Sequence, residues 1–223
     1  MPKRMGENLL MNYKQQIIEA GIQMASQDLT IETWGNLSLR DQTNGHIYLT
    51  PSGMPYDTLK EEDICVLDKE GNLIEGKRKP SIESMLHVRI YQKRSDVNAI
   101  MHTHPVSSTV FGVLHQSIPV VTDEMAQAIG GDINCAEYAL PGSLELAENV
   151  CNALGTTQAC LLSNHGALCA GKDMKECFKV AKVLETSADI YYKALCIGKP
   201  VAISKENVDW MRDFALHKYG QKG

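Results

Sequence analysis

Two histidines separated by one residue follow an apolar stretch of the chain. The stretch is Val97–Met101, and His102 and His104 come directly after it. Alternate residues of a strand point to the same face, so the two imidazoles can aim at one point just beyond a strand end. Two histidines are two-thirds of the His₃ set that binds a catalytic metal. The spacing therefore indicates two ligands of a metal site.

A third histidine and a carboxylate could complete this site. His165 lies just beyond a second apolar run and precedes Gly166. Residues at the ends of strands, where loops begin, are well placed to bind ligands. Glu83 could add an oxygen ligand, although local sequence favours a plainer role, a carboxylate near a helix start that the helix dipole stabilises. His87, one turn further on, is interpreted as a structural histidine.

Three neutral imidazoles leave open positions on a divalent cation, which is the composition of a catalytic site. A structural zinc site would more often use closely paired cysteines, and none of the seven cysteines is paired in this way. The alternative is that the three histidines are unrelated residues of the core.

Two polar turns could hold an anion. In the first, Gly35 would let the backbone approach closely, while Thr33 and Asn36 would donate hydrogen bonds. In the second, Ser52 and Gly53 could serve the same anion. By itself the first turn is better explained as a plain loop that enters a strand, and the second is also simply a good turn.

Composition limits the class of protein. With 223 residues, 43% of them apolar, the chain fits one domain over residues 1–223. A net charge of −5 without a basic patch predicts no nucleic-acid partner. No run approaches the roughly 18 apolar residues of a membrane span, so no membrane partner is expected. Scattered cysteines without a C-x-x-C motif indicate reduced thiols and a cytoplasmic location.

Periodicity and turn signals predict the elements that must position these residues. Helices are predicted at 8–27, 82–94, 105–114, 122–130, 143–154, 173–197 and 205–215, and strands at 37–40, 46–50, 64–67, 72–75, 97–101, 117–121, 135–140 and 159–162. Ser81 is the predicted N-cap of the second helix. Hairpins without strict βαβ alternation predict an α/β fold with a mixed, largely antiparallel sheet covered by helices. A dinucleotide-binding fold is disfavoured because G-x-G-x-x-G is absent.

Six segments resemble the class II aldolase/adducin family, and within it the fuculose-1-phosphate aldolases. They occur in family order over almost the whole chain. They are Thr33-Trp-Gly-Asn-Leu-Ser38, Thr50-Pro-Ser-Gly-Met-Pro-Tyr56, Lys79-Pro-Ser-Ile-Glu83, Asn98-Ala-Ile-Met-His-Thr-His104, Ser163-Asn-His-Gly166 and Lys218-Tyr-Gly220.

The resemblance implies a three-layer α/β/α sandwich and a homotetramer with active sites at subunit interfaces. It implies one Zn²⁺ per subunit on His102, His104 and His165, with Mn²⁺ or Co²⁺ as other candidates. Glu83 would ligate the metal in the resting state and then act as the base. A C-terminal tyrosine, matched by Tyr219, would reach a neighbouring subunit's site as a proton donor.

The resemblance also implies a pocket for the substrate phosphate, formed by Thr33, Gly35, Asn36, Ser52, Gly53 and Ser81. Two positions depart from the family pattern. Ile82 replaces a serine that would donate another hydrogen bond to the phosphate. Glu124 falls about where the family aldolase has an active-site tyrosine, so either it takes over proton transfer or this region serves a different end of the substrate.

The expected activity is cleavage of a ketose 1-phosphate to dihydroxyacetone phosphate and a short aldehyde. Fuculose, 5-deoxyribulose and 5-methylthioribulose 1-phosphates all remain candidate substrates. A ribulose-5-phosphate 4-epimerase is an alternative, although those enzymes resemble this chain with aspartate at the position of Glu83. A decarboxylase of phosphorylated oxo-sugar acids also stays open. A non-catalytic adducin-like interaction module is disfavoured, because it predicts loss of the metal ligands.

Overall fold

The computed structural model describes residues 12–221. Seven helices and eight strands alternate irregularly along this part of the chain. In order they are α1 Tyr13–Ser26, β1 Asn36–Arg40, β2 Ile47–Leu49, β3 Cys65–Leu67, β4 Leu73–Glu75, α2 Ser84–Lys93, β5 Ala99–Thr103, α3 Val106–Val113, α4 Asp123–Ala128, β6 Cys135–Ala136, α5 Leu144–Leu154, β7 Ala159–Leu162, β8 Gly166–Gly171, α6 Met174–Ile197 and α7 Lys205–His217. None of these helices is both long and apolar enough to cross a bilayer.

The eight strands form one sheet in the order β4-β3-β2-β1-β5-β8-β7-β6. All neighbouring strands are antiparallel except β6 and β7, which are parallel. Strands β1 and β5 lie at the centre of this order, and every residue of β5 is buried. The predicted α/β class with a mixed, largely antiparallel sheet is confirmed. The single domain over residues 1–223 stays a prediction.

The sheet is the middle of three layers. Along β5, Ala99 and Met101 pack into a core with α1, α3, α4 and α6, while Ile100 faces a second core built with α2 and α5. Alternation along the strand therefore divides the side chains between the two helical layers. His102 continues the face of Ile100, so its imidazole points to the layer that contains α2.

Two predicted strands are shorter in the structure, and one strand of the structure was not predicted. Strand β8 was not predicted, because Gly166–Gly171 consists mainly of glycine and alanine, which have low strand propensity. Tertiary pairing with β5 and β7 overrides that propensity. The strand predicted at 117–121 is reduced to a bridge between Ile118 and Ile133, and the one at 135–140 to Cys135–Ala136. The start of the first predicted helix, at 8–11, lies outside the described residues.

Helix α2 begins later than predicted, at Ser84, and Ser81 is not its N-cap. Glu83 occupies the cap position instead. The chain makes a turn before the helix, in which the Ser84 N–H donates to the Ser81 carbonyl at 3.0 Å. The Ser81 hydroxyl accepts from the Glu83 N–H at 3.3 Å. Pro80 disfavours helical backbone at Lys79, the residue before it, so the helix does not extend further in the N-terminal direction.

Candidate metal centre and active site

Strand β5 and the β7–β8 turn bring the three predicted histidines together. His102 is the fourth residue of β5, His104 follows the strand end, and His165 lies in the turn. The Nε2 atom of His102 is 3.0 Å from that of His104 and 3.3 Å from that of His165. Asn164 has a left-handed φ of 54°, which its short polar side chain tolerates and which turns the chain into His165. The three imidazoles form one cluster with the geometry of a metal site.

The protonation of the cluster suits metal binding. The Nδ1–H of His102 donates to the Ala167 carbonyl at 2.9 Å, which leaves a lone pair on Nε2. Burial lowers the pKa of His102, His104 and His165 to about 4 each, because charged imidazolium is poorly solvated there. All three rings are neutral at pH 7, which is the form that binds a metal.

Glu83 adds a carboxylate to the cluster. Its side chain is 4% exposed, with Oε2 3.3 Å from His102 Nε2 and Oε1 3.6 Å from His165 Nε2. Asn36 Nδ2 donates to Oε2 at 2.7 Å, whereas Oε1 has no hydrogen-bond partner within residues 12–221. Imidazole lone pairs and a carboxylate oxygen that converge in a buried site repel one another unless a cation lies among them. This donor set therefore fits a divalent metal ion.

A cavity of about 410 Å³ opens beside Glu83, His104 and His165. All six residues predicted to bind phosphate line it, and they are Thr33, Gly35, Asn36, Ser52, Gly53 and Ser81. The described lining residues include no arginine or lysine. An anion in this cavity would be held by hydroxyl, amide and backbone N–H groups. Whether these residues bind phosphate stays a prediction.

The lack of a side chain at Gly35 lets the loop approach strand β5 closely at this site. The Gly35 N–H is already bonded to the Thr30 hydroxyl at 2.8 Å and is not free to bind an anion. A Cβ at this position would lie 2.9 Å from the His102 carbonyl oxygen and 2.8 Å from the Met24 side chain. Glycine is therefore required for the loop to pack against β5. Trp34 and Pro141 also line the cavity and were not identified from the sequence, because they lack groups that suggest chemistry.

The other two predicted catalytic residues do not line this cavity. Glu124 lies exposed in the first turn of α4. Tyr219 follows α7, is 74% exposed and contacts the ring of Phe214 edge-on. An exposed tyrosine is what a role in a neighbouring subunit requires, but both catalytic roles stay predictions. Ile82, one of the two departures from the family pattern, does line the cavity.

The sequence of the chain and its fold agree on its ancestry. The family model described as Class II Aldolase and Adducin N-terminal domain matches residues 15–192. The chain belongs to this family. It is 35% identical to the 5-deoxy-D-ribulose 1-phosphate aldolase of Bacillus thuringiensis serovar kurstaki, over 96% of this chain and 100% of that protein.

Two fuculose-phosphate aldolases are also similar to this class II aldolase/adducin protein. The L-fuculose phosphate aldolase of Escherichia coli K12 is 37% identical, over 84% of this chain and 86% of its own length. A solved structure of L-fuculose 1-phosphate aldolase superposes with a TM-score of 0.88 at 37% identity, covering 91% of this chain and 95% of the other. The predicted family and the predicted aldolase class are confirmed.

A methyl group at Gly166 should disturb the metal centre of this family member. The added Cβ would overlap the Thr103 carbonyl oxygen and come within 3.4 Å of the His102 ring. Gly166→Ala is expected to cost about 1–3 kcal/mol of unfolding free energy, as overpacking does, and to weaken metal affinity. Gly198→Ala is the matched control, since its Cβ would meet no atom within 4 Å. Urea unfolding and metal titration of both variants measure the difference, and equal behaviour would contradict the assigned contacts.

The stability of the metal-free protein should fall in mild acid. The pKa of each cluster histidine is about 4 when folded and about 6.5 when unfolded, so the unfolded chain takes up protons first as the pH falls. The contribution of the neutral histidines to the free energy of unfolding is fully present above pH 6.5 and is lost as the pH falls towards 4. Each histidine contributes a slope of up to about 1.4 kcal/mol per pH unit.

Urea unfolding in chelator at several pH values measures this slope. The double variant His104→Asn/His165→Asn lacks two of the four histidines whose pKa burial lowers, the fourth being His87, so its stability should depend less steeply on pH. An unchanged slope in the double variant would show that other groups cause the acid sensitivity.

Proposed function

We propose that this chain is a metal-dependent aldolase that cleaves a ketose 1-phosphate to dihydroxyacetone phosphate and a short aldehyde. The observation that carries this proposal is the convergence of three neutral imidazoles and the Glu83 carboxylate beside a cavity lined with uncharged hydrogen-bond donors. Relatives named for the cleavage of 5-deoxyribulose and fuculose phosphates support the choice of substrate class.

The chain's own residues would first orient the substrate. Ser52, Ser81 and Asn36 line the cavity, and their hydroxyl and amide groups would hold the phosphate. This places the ketose carbonyl towards the histidines. A divalent cation bound by His102, His104 and His165, with Glu83 as a further ligand, would supply a Lewis acid that draws electrons from the carbonyl as the C3–C4 bond breaks.

Imidazole and carboxylate donors favour Zn²⁺ for this site, and Mn²⁺ or Co²⁺ accept the same donors. Glu83 would carry the proton. Breaking the C3–C4 bond leaves C3 electron-rich, and a carboxyl group beside the metal can protonate that carbon to give dihydroxyacetone phosphate. The other proton transfer, at the oxygen that becomes the aldehyde, is assigned to Tyr219 of a neighbouring subunit or to Glu124.

The assignment of Tyr219 requires an oligomer, and we propose the homotetramer that the resemblance implies. The high exposure of Tyr219 supports this arrangement. We also propose a cytoplasmic location. All seven cysteines lie in the described part of the chain as free thiols, and four of them are buried. This supports a reducing compartment.

The activity can be tested by supplying metal-loaded protein with three substrates. Fuculose, 5-deoxyribulose and 5-methylthioribulose 1-phosphates are incubated with the enzyme, and dihydroxyacetone phosphate is detected with a coupled reductase. Release from at least one of them is expected, and the relative rates identify the aldehyde end that fits. No release from any of them would refute the proposal. Conversion of ribulose 5-phosphate to its C4 epimer would then favour the epimerase.

A further inference from the structure

Strand β1 and helix α2 carry polar side chains whose spacing matches. Asn36 and Ser38 are two residues apart on the strand, a rise of about 6.6 Å. Glu83, His87 and Tyr91 are four residues apart on the helix, a rise of about 6.0 Å per step. Because the rise per step is nearly the same on the strand and on the helix, each of the two strand residues lies between two successive helix residues. All five side chains are buried between the sheet and α2.

The hydrogen bonds among these residues run in one direction. An ionised carboxylate can only accept, so the Asn36 amide must turn its NH₂ group to Glu83, at 2.7 Å. Its Oδ1 then faces His87 Nε2, at 2.5 Å, and must accept. A neutral imidazole has one N–H, so His87 Nδ1 accepts from the Ser38 hydroxyl at 2.6 Å. The Tyr91 hydroxyl lies 2.8 Å from Ser38 Oγ and 3.1 Å from the Ser38 carbonyl oxygen, and its single proton is donated to one of these two acceptors.

His87 secures the oxygen end of the Asn36 amide, as Glu83 secures its NH₂ end. Its imidazole is fully buried, and burial lowers its pKa to about 3, so it stays neutral. An amide is nearly symmetrical in shape, and only its partners determine which end faces which neighbour. Without the N–H of His87, the buried Asn36 oxygen would lose this donor, which is unfavourable. The amide would then be held only by its bond to Glu83 and would shift to find another donor, which moves the carboxylate with it.

We propose that His87 is a positioning residue that orients the Asn36 amide and thereby holds the Glu83 carboxylate beside the three histidines. The role rests on the proposed function of Glu83 as metal ligand and proton carrier. It differs from a purely structural role, because it requires a donor at the position of His87 Nε2 and not just a side chain that fills the space.

Two amide variants separate these roles. The side chain of His87→Gln can place an N–H near the position of Nε2 and donate to Asn36. His87→Asn is one methylene shorter, so it reaches Ser38 but not Asn36. Outer-shell partners of metal ligands typically contribute 10–100-fold, so His87→Asn should lower kcat about 10–100-fold with a smaller change in KM. His87→Gln should retain most of the wild-type kcat. Tyr91→Phe removes only the hydroxyl at the end of this hydrogen-bond series that is furthest from Glu83, so its kcat should be close to that of the wild type.

Rates are expressed per folded subunit with bound metal, measured by circular dichroism and metal analysis. Equal kcat in His87→Asn and His87→Gln would overturn the proposal, because both variants remove the imidazole. If wild-type protein cleaves no ketose 1-phosphate, the proposed function fails and metal affinity becomes the readout. Weaker Zn²⁺ binding by His87→Asn than by His87→Gln would then support the positioning role, and equal binding would refute it.

Discussion

Replacing His102 with asparagine is expected to remove the metal ion and to abolish cleavage. His102 Nε2 lies within 3.3 Å of Nε2 of both other histidines, which makes it the central member of the cluster. The ring is fully buried and its Nδ1 is anchored to the Ala167 carbonyl. Asparagine keeps a polar group but cannot reach the position of Nε2. Mutating a residue that only hydrogen-bonds to a metal ligand typically lowers activity by up to about 100-fold. Because His102 would be a ligand itself, its loss should lower activity by more than that.

Elemental analysis and the dihydroxyacetone phosphate assay measure both effects in the same preparation. His46→Asn is the matched control, because His46 lies in the turn between β1 and β2 and is not among the residues of the metal cluster. The control should retain one metal per subunit and wild-type activity. A His102→Asn protein that still binds stoichiometric metal would contradict the assignment of His102 as a ligand.

The histidine cluster could be predicted because its signal is local. His102 and His104 share a face by the alternation of a strand, whichever strands lie beside them. The structure shifts the strand two residues later, to Ala99–Thr103, but a two-residue shift keeps the same alternation, so the ligand geometry survives the error. His165 was associated with this pair by its own apolar run, and the hairpin turn brings it into contact.

Other features depend on pairing between distant segments, and the sequence carries little of that information. Asn36 lies directly opposite His102 because β1 pairs with β5 in one particular register. That register is what places its amide next to Glu83. From local sequence, Glu83 is a helix-start carboxylate and His87 a core histidine. Their shared role depends on α2 packing across β1, which periodicity on a single helix does not reveal.

Strand β8 shows the same limit for the fold. Its residues are small because the strand is buried on both faces and packed between β5 and β7. A Cβ at Gly166 would overlap the neighbouring strand. Close packing requires small residues in β8, and small residues do not give the pattern by which a strand is predicted. The same packing positions the turn that contains His165.

Replacing Glu83 with glutamine should stop proton transfer while preserving most of the site. Glutamine has the same shape, and its oxygen can still accept from Asn36 Nδ2, as Oε2 of Glu83 does at 2.7 Å. The group that replaces Oε1 is an NH₂, which cannot act as an acid or a base at neutral pH. General acid–base groups contribute about 10²–10⁴-fold, so kcat should fall by that factor.

The decisive measurement for Glu83→Gln is exchange of a C3 proton of dihydroxyacetone phosphate with D₂O, followed by NMR. This exchange requires the base but no aldehyde and no cleavage of a carbon–carbon bond. Because the three histidines remain, the variant should still bind metal, with somewhat lower affinity, and yet lose exchange and cleavage together. If exchange continued at the wild-type rate while cleavage was lost, Glu83 would act at the aldehyde oxygen, and another residue would carry the proton of C3. If both rates were unchanged, the carboxylate would serve only as a metal ligand.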